Sequence, residues 1–238
     1  MGLQLKEYAD SALGVTVSGT AEQRHAGFIF KDGADVRILH LAWHFALKRN
    51  SVDEYINARG LGPFCAYCCE GLLDSQTLEV VSFLKVIWKR NQHAIPYGIG
   101  ADGIEGFFNL DGTIARARSG DGLTCATFIM SVFSCLGLSL IDPSDWESRS
   151  DDKVWHRWIL DNLSQHPAYQ PQVAGHAAAQ ERHVGHAARF RPEEVVGCAA
   201  YIEDDPKSFD QAVEAGEVVL ADMVAKGIYA LPGAPTCA

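Results

Sequence analysis

Apolar residues alternate with polar ones in short runs near the start of the chain and recur at every third or fourth position further on, which predicts strands first and helices afterwards. Gly14-Val15-Thr16-Val17-Ser18 reads as a short strand. Two longer β-rich runs, His25 to Phe30 and Asp35 to His44, flank Lys31-Asp32-Gly33-Ala34 and predict a hairpin. Residues 51–58 suggest a loop or a short helical turn, and Phe64 to Cys69 a further strand. Asp74 is placed to cap a helix through Asn91, with Leu78, Val81, Phe83, Leu84 and Ile87 or Trp88 as its buried stripe. Residues 95–99 and 106–109 are short extended or loop pieces leading to Gly120-Asp121-Gly122. The run from Cys125 to Leu136 is apolar nearly all round and predicts a buried helix, with Gly137 as the residue just past its end. Asp151 to Gln165 carries Val154, Trp155, Trp158, Ile159 and Leu163 at amphipathic helical spacing. Periodicity then lapses, and residues 166–190 predict a long mobile loop with His166, His176, His183 and His186. Pro192 with two following acids opens another helix, and Ser208 caps one that runs to about Lys226.

The predicted fold class is therefore α+β, an antiparallel sheet packed on a central helix that begins with a cysteine. Residues 1–149 form the core and residues 150–238 a helical C-terminal addition.

The hairpin carries the first chemistry. With Asp32-Gly33 as the two central residues of a type I′ turn, Lys31 pairs with Ala34, Phe28 faces Arg37 and His25 faces His40. Paired residues share a face of the sheet, so two imidazoles meet one strand apart. A slip of one residue would separate them. His44 falls on the same face as His40 and is a substitute for it.

Cys125 carries the second. Gly120 and Gly122 loosen the turn before it, Thr124 is a cap, and the positive end of the helix dipole is directed at the sulfur. That placement favours a thiolate, the form that attacks carbonyl carbon. The plainer alternative is a buried structural thiol.

Composition narrows the class. A net charge of −10 and the lack of any Lys/Arg stripe exclude a nucleic-acid partner. The opening residues lack the apolar core of a secretory leader, and no apolar run reaches the length of a membrane span, so a cytoplasmic location is expected. Seven cysteines, an odd number, then suggest reduced thiols. Cys65-x-x-Cys68 has no second pair at finger-like distance, and His183-x-x-His186 has no carboxylate partner, so neither a metal nor a cofactor is expected.

The order His, His, Cys in this context resembles the circularly permuted branch of the NlpC-type papain-like cysteine hydrolases, which includes lecithin retinol acyltransferase and its relatives. His25-Ala26-Gly27-Phe28-Ile29-Phe30, Arg37-Ile38-Leu39-His40 and Leu123-Thr124-Cys125-Ala126-Thr127-Phe128-Ile129 carry the resemblance, which spans residues 20–140. The chain differs in its long insertion between hairpin and cysteine, and in having Thr124 where the acyltransferase members have Asn. The resemblance implies a papain-like fold and a Cys-His-His triad: Cys125 as nucleophile, His25 as base, His40 orienting His25, and a first-turn amide holding the oxyanion. The implied activity is a thiol peptidase or amidase acting on an amide or ester in a peptide, a peptidoglycan stem, an isopeptide-linked conjugate or an acyl lipid. The alternatives are a thiol acyltransferase and a catalytically silent scaffold that binds a protein.

Overall fold

In a computed structural model, the described residues are 5–9, 11–20, 23–58, 61–100, 103–115, 118–165 and 172–228. Five strands form one antiparallel sheet: β1 (Leu13–Gly19), β2 (Arg24–Asp32), β3 (Asp35–Trp43), β4 (Ala46–Asn50) and β5 (Phe64–Cys68), in the order β4-β3-β2-β1-β5. The helices are α1 (Val52–Ile56), α2 (Asp74–Asn91), α3 (Cys125–Cys135), α4 (Asp152–Gln165), α5 (Gln172–Gln180), α6 (Pro192–Ala200) and α7 (Phe209–Ala225). The architecture is α+β, as the patterns predict.

Strand alternation divides the apolar residues between two faces. Val15, Val17, Phe28, Phe30, Leu39 and Leu41 join the main core with α3 and α6, and Phe28 packs its ring edge-on to Phe128 and tilted against Phe133. On the other face, Ile29 and Ile38 bury against Tyr55 of α1. The main core continues without a break from the sheet into Ile159, Leu163, Val195 and Val219.

The hairpin forms, with its turn one residue later than the sequence suggests. Asp32 pairs with Asp35, which leaves Gly33-Ala34 as the central pair and puts Phe28 opposite Leu39 instead of Arg37. Gly33 takes φ +67 while Ala34 keeps an ordinary φ, so only the glycine enters the left-handed region, in the manner of a type II′ turn. A type I′ turn centred on Asp32 would demand that conformation of Asp32 as well. Asp32 stays in the ladder, where its carboxylate pairs with Arg49 and Lys85.

Expectations for α2 and for the 166–190 stretch change as well, and one strand gave no signal at all. α2 begins at Asp74 with Leu73 as its cap residue, and Leu78, expected in its buried stripe, is exposed while Val80 is buried. The stretch expected to be a mobile loop forms α5 and a 3₁₀ turn at Glu181–His183, with His176 buried; His166 lies outside the described residues. The edge strand β4 carries no alternating apolar signal in Ala-Leu-Lys-Arg-Asn, since it is ordered by pairing with β3.

Candidate active site

The loop that delivers Cys125 is fixed from both sides. The Thr127 amide donates to Thr124 Oγ1 (3.1 Å) and the Thr124 amide donates to Thr127 Oγ1 (2.7 Å), a reciprocal cap that satisfies two first-turn donors. Upstream, the Leu123 amide donates to the Pro96 carbonyl (3.0 Å) and the Gly98 amide to the Leu123 carbonyl (3.2 Å). Glycine is what lets the two segments come this close: a Cβ on Gly122 would lie 2.7 Å from the Gly98 nitrogen. α5 locks the arrangement. The Ile99 amide donates to Gln180 Oε1 (2.7 Å), His176 Nε2 lies 2.7 Å from the Tyr97 carbonyl, and the Gly120 amide donates to His176 Nδ1 (3.3 Å). His44, the substitute for His40, accepts from the Tyr97 amide through Nδ1 (3.0 Å) and sits 4.7 Å, ring to ring, from His176. It serves this scaffold, because the strand turns at His44-Phe45 and takes it out of register with His40.

The histidine pair meets, by a diagonal route. The observed register places Gly27 across from His40, whose Cβ would be 2.9 Å from a Cβ on Gly27. His25 is thus two residues from its expected partner position. A shift of two conserves the face, and diagonal neighbours remain within reach of long side chains. His25 Nε2 lies 2.8 Å from His40 Nδ1, with the rings edge to face.

A third member, which sequence reading missed, extends the series: Asn50 Oδ1 is 3.0 Å from His40 Nε2. Asn50 ends β4, a strand without a periodic signature, so nothing in the sequence pointed to it. Its amide nitrogen side faces the Glu54 carboxylate, which leaves the oxygen for His40. The tautomers follow in sequence. His40 Nε2–H donates to Asn50, His40 Nδ1 must then accept from His25 Nε2–H, and His25 Nδ1 keeps its lone pair. Tyr55 closes the back of this series, 5.0 Å from the His40 ring and bonded to Ser18 Oγ (3.0 Å).

Cys125 is buried, and its sulfur is met by the amides of Ala26, Ala126 and Cys125 itself. The β2–β3 ladder ends at Phe28 and Leu39, which leaves the Ala26 amide available to the sulfur. By alternation Ala26 faces α3 while His25 and His40 face Tyr55, so the sulfur reaches β2 beside the histidine. Among the described residues no hydrogen bond joins Cys125 Sγ to a histidine nitrogen; the two groups share the walls of one narrow cavity of about 50 Å³.

Burial decides the charge state. It pushes the Cys125 thiol up to about 11, against the three amides, which pull the other way, and with the Glu193 carboxylate adding to the rise. The expected thiolate is therefore replaced by a thiol, because the helix-end effect is smaller than the loss of water around a buried anion. Burial and the neighbouring His40 hold His25 well below the usual histidine range. His40 falls to about 4, by burial first, with Asn50 opposing and Lys48 assisting. The site is a neutral one, thiol beside imidazole.

The rest of the cavity wall comes largely from beyond residue 149: Trp155, Trp158, Arg189 and Phe190 stand with Trp43 and Tyr97. Trp158, expected on the buried stripe of its helix, is 42% exposed at the rim. Arg189 stacks over Trp155 at 4.6 Å and pairs with Asp151 at 3.0 Å. The largely buried pair Arg24–Glu193 ties β2 to α6, with Arg24 on the cavity wall.

All six cysteines within the described residues are free thiols. Cys65 joins the main core, whereas Cys68 Sγ lies 2.8 Å from Ser11 Oγ, since a spacing of three along a strand sends the two to opposite faces. Among the described residues no group of three or more His, Cys, Asp or Glu side chains could hold a metal ion, and no helix is long and apolar enough to cross a membrane. Compared with protein-family models, curated proteins and solved structures, the chain matches none.

Proposed function

We propose that this chain is a cysteine hydrolase of the papain-like, permuted NlpC type, cleaving an amide or ester with Cys125, His25 and His40. The observation that carries the reading is the hydrogen-bonded series Asn50, His40, His25, which ends in a lone pair on the wall shared with a cysteine at a helix mouth. Such an ordered pair of imidazoles, with His40 buried and its tautomer set by Asn50, has little use as plain core.

The chemistry starts from the neutral pair. His25 Nδ1 takes the Cys125 proton as Sγ attacks the carbonyl carbon, which converts the C=O double bond to an oxyanion. Collapse expels the amine or alcohol, which receives the proton from His25, and leaves a thioester on Cys125. Water, deprotonated by His25, then releases the acid and regenerates the thiol. His40 and Asn50 keep His25 in the productive tautomer and share the positive charge it gains. Sulfur and ring draw together with substrate bound, as catalytic contacts in free enzymes are commonly longer than in their complexes.

A peptide, a peptidoglycan stem, an isopeptide-linked conjugate or an acyl lipid each offers the required bond, and reduced thiols fit a cytoplasmic setting. Transfer of the acyl group to an acceptor other than water would make the same site a thiol acyltransferase. The test combines iodoacetamide, which reports a reactive sulfur, with p-nitrophenyl acetate, which reports acyl transfer. Alkylation at Cys125 faster than at every other cysteine, and a nitrophenolate burst abolished by Cys125→Ala, are expected. If Cys125 reacts no faster than Cys135 and gives no burst, the chain is a silent scaffold that binds a partner, the reading its raised thiol pKa favours.

A further inference from the structure

The cavity beside Cys125 is built from two parts of the chain. Trp43 and Tyr97 line it from the sheet and the loop after α2, and Trp155, Trp158 and Phe190 from α4 and the segment before α6. No acidic side chain lines it, and its two arginines are each already paired, Arg24 with Glu193 and Arg189 with Asp151 at 3.0 Å. The group it holds is therefore uncharged, because a charge taken out of water there would meet no free partner. Size follows from the volume. A cavity has to reach about 150 Å³ to take up a benzene ring, and this one is about 50 Å³, so a ring or a branched chain is too large while a chain of about two or three carbons fits. The part of a substrate that must fit is the acyl group, since it stays on the sulfur as the thioester after the leaving group has gone.

All the aromatic rings of the wall but one are clamped. Trp43 and Tyr97 stack at 4.6 Å between centroids and 34° between planes, Trp155 lies under the Arg189 guanidinium at 4.6 Å, and Phe190 stacks on Trp146 at 4.5 Å. Trp158 is the exception. Among the described residues its indole has no stacking, cation–π or hydrogen-bond partner, it joins neither apolar cluster, and it is 42% exposed at the cavity rim. Its helix is anchored without it, because α4 buries Ile159, Leu160 and Leu163 in the core. A large ring with one wet edge, kept at the rim of an aromatic cavity and not used for packing, is suited to contact a ligand.

We infer that Trp158 is a specificity-determining residue, whose indole closes the rim of the cavity and restricts the acyl group that Cys125 can carry to an uncharged, unbranched chain of about two or three carbons. This rests on the proposed hydrolase reading and adds the substrate class to it, a short-chain acyl ester or amide. A long acyl lipid and a bulky peptide residue are disfavoured together, since either would have to displace the indole, and one methylene too many in an apolar pocket lowers kcat/KM by about 10-fold or more. Trp158 stands in the part of the chain that the family resemblance does not reach, at helical spacing from Trp155 and on the same side of α4. The C-terminal addition thus supplies the selectivity, and the hairpin and α3 the chemistry.

Nitrophenolate bursts from p-nitrophenyl acetate, hexanoate and trimethylacetate measure the restriction. Each is divided by the rate at which a free thiol, N-acetylcysteine, attacks the same ester, which removes the intrinsic difference between the esters. The parent is expected to favour acetate over the other two by about 100-fold after this correction. Trp158→Ala is expected to narrow that preference by about 10-fold or more, and Trp158→Phe, which keeps a ring at the rim, to retain most of it. A parent that takes all three esters equally well, or a Trp158→Ala variant that changes the three rates by one common factor, would overturn the assignment. A parent that gives no burst with any of the three refutes the hydrolase reading itself, an outcome distinct from either of these.

Discussion

Replacing Asn50 by Asp puts a formal charge at the end of the histidine series and tests the series as a whole. His40 Nε2 lies 3.0 Å from the Asn50 oxygen, so Asn50→Asp substitutes a carboxylate for an amide with no change of shape. Two unit charges about 4 Å apart interact by roughly 4 kcal/mol at an effective dielectric near 20, which is about 3 pKa units before the remaining solvent is allowed for. His40, held at about 4 in the parent, should therefore titrate some 2 units higher, near the normal histidine value. Glu54 next to Asn50 works against the change, but it is exposed and its repulsion is screened. The sign carries over to stability. His40 is depressed from 6.5 to about 4 in the folded protein, so the unfolded chain binds the extra proton between those values. The parent then has the His40 contribution in full above pH 6.5 and loses it as the pH falls through 4, about 3 kcal/mol in all. His25, His176 and His156, each lowered mainly by burial, act with the same sign. Asn50→Asp should flatten the His40 share of that loss. Histidine Cε1–H resonances followed by NMR from pH 3 to 9, with urea melts at pH 4 and 7, measure both. A His40 resonance in Asn50→Asp that still titrates near 4, with melts as acid-sensitive as the parent's, would refute the coupling between Asn50 and His40.

On p-nitrophenyl acetate, Cys125→Ala should abolish the burst, His25→Ala should come close to that, and His40→Ala should retain the most; the Cys125→Ala/His25→Ala double variant should be no worse than Cys125→Ala, because the two act as a unit. Gly27→Ala should destabilise by about 1–3 kcal/mol, since the added methyl would meet the His40 Cβ at 2.9 Å and the Leu39 carbonyl at 3.1 Å, and a urea midpoint equal to the parent's would show that β3 gives way freely. Arg24→Ala leaves the Glu193 carboxylate buried and unpaired, and is expected to cost about 3–5 kcal/mol by urea melt, with a smaller loss for Arg24→Ala/Glu193→Gln.

Local signals that depend only on neighbours in sequence were legible. The apolar run after Cys125 could be nothing but a buried helix, Thr124 and Gly137 marked its ends, and Gly137 does take φ +76. The alternation around Gly33 gave the hairpin and the shared face of His25 and His40, since a face depends on parity and survived a shift of two in the register. The register itself puts Gly33, the residue that takes φ +67, first in the turn and keeps Asp32 in the ladder, where it pairs with Arg49 of β4 and Lys85 of α2, both distant from it in sequence.

Asn50, Tyr97 and the tryptophans of α4 were beyond the reach of pattern. Each enters the site through a contact that no periodicity encodes: an edge strand ordered by pairing, a bridge made possible by two glycines, a helix packed across the cleft. Likewise, residues 172–180 lack an apolar stripe but are rich in alanine, the best helix former, and in the fold they are a helix whose His176 and Gln180 find backbone partners at Tyr97 and Ile99. The protonation of Cys125 shows the division most clearly. Sequence determines that the sulfur sits at a helix mouth, which by itself favours the thiolate; only the packing of β2, α3 and α6 around it determines how much water the sulfur loses, and that loss outweighs the helix end.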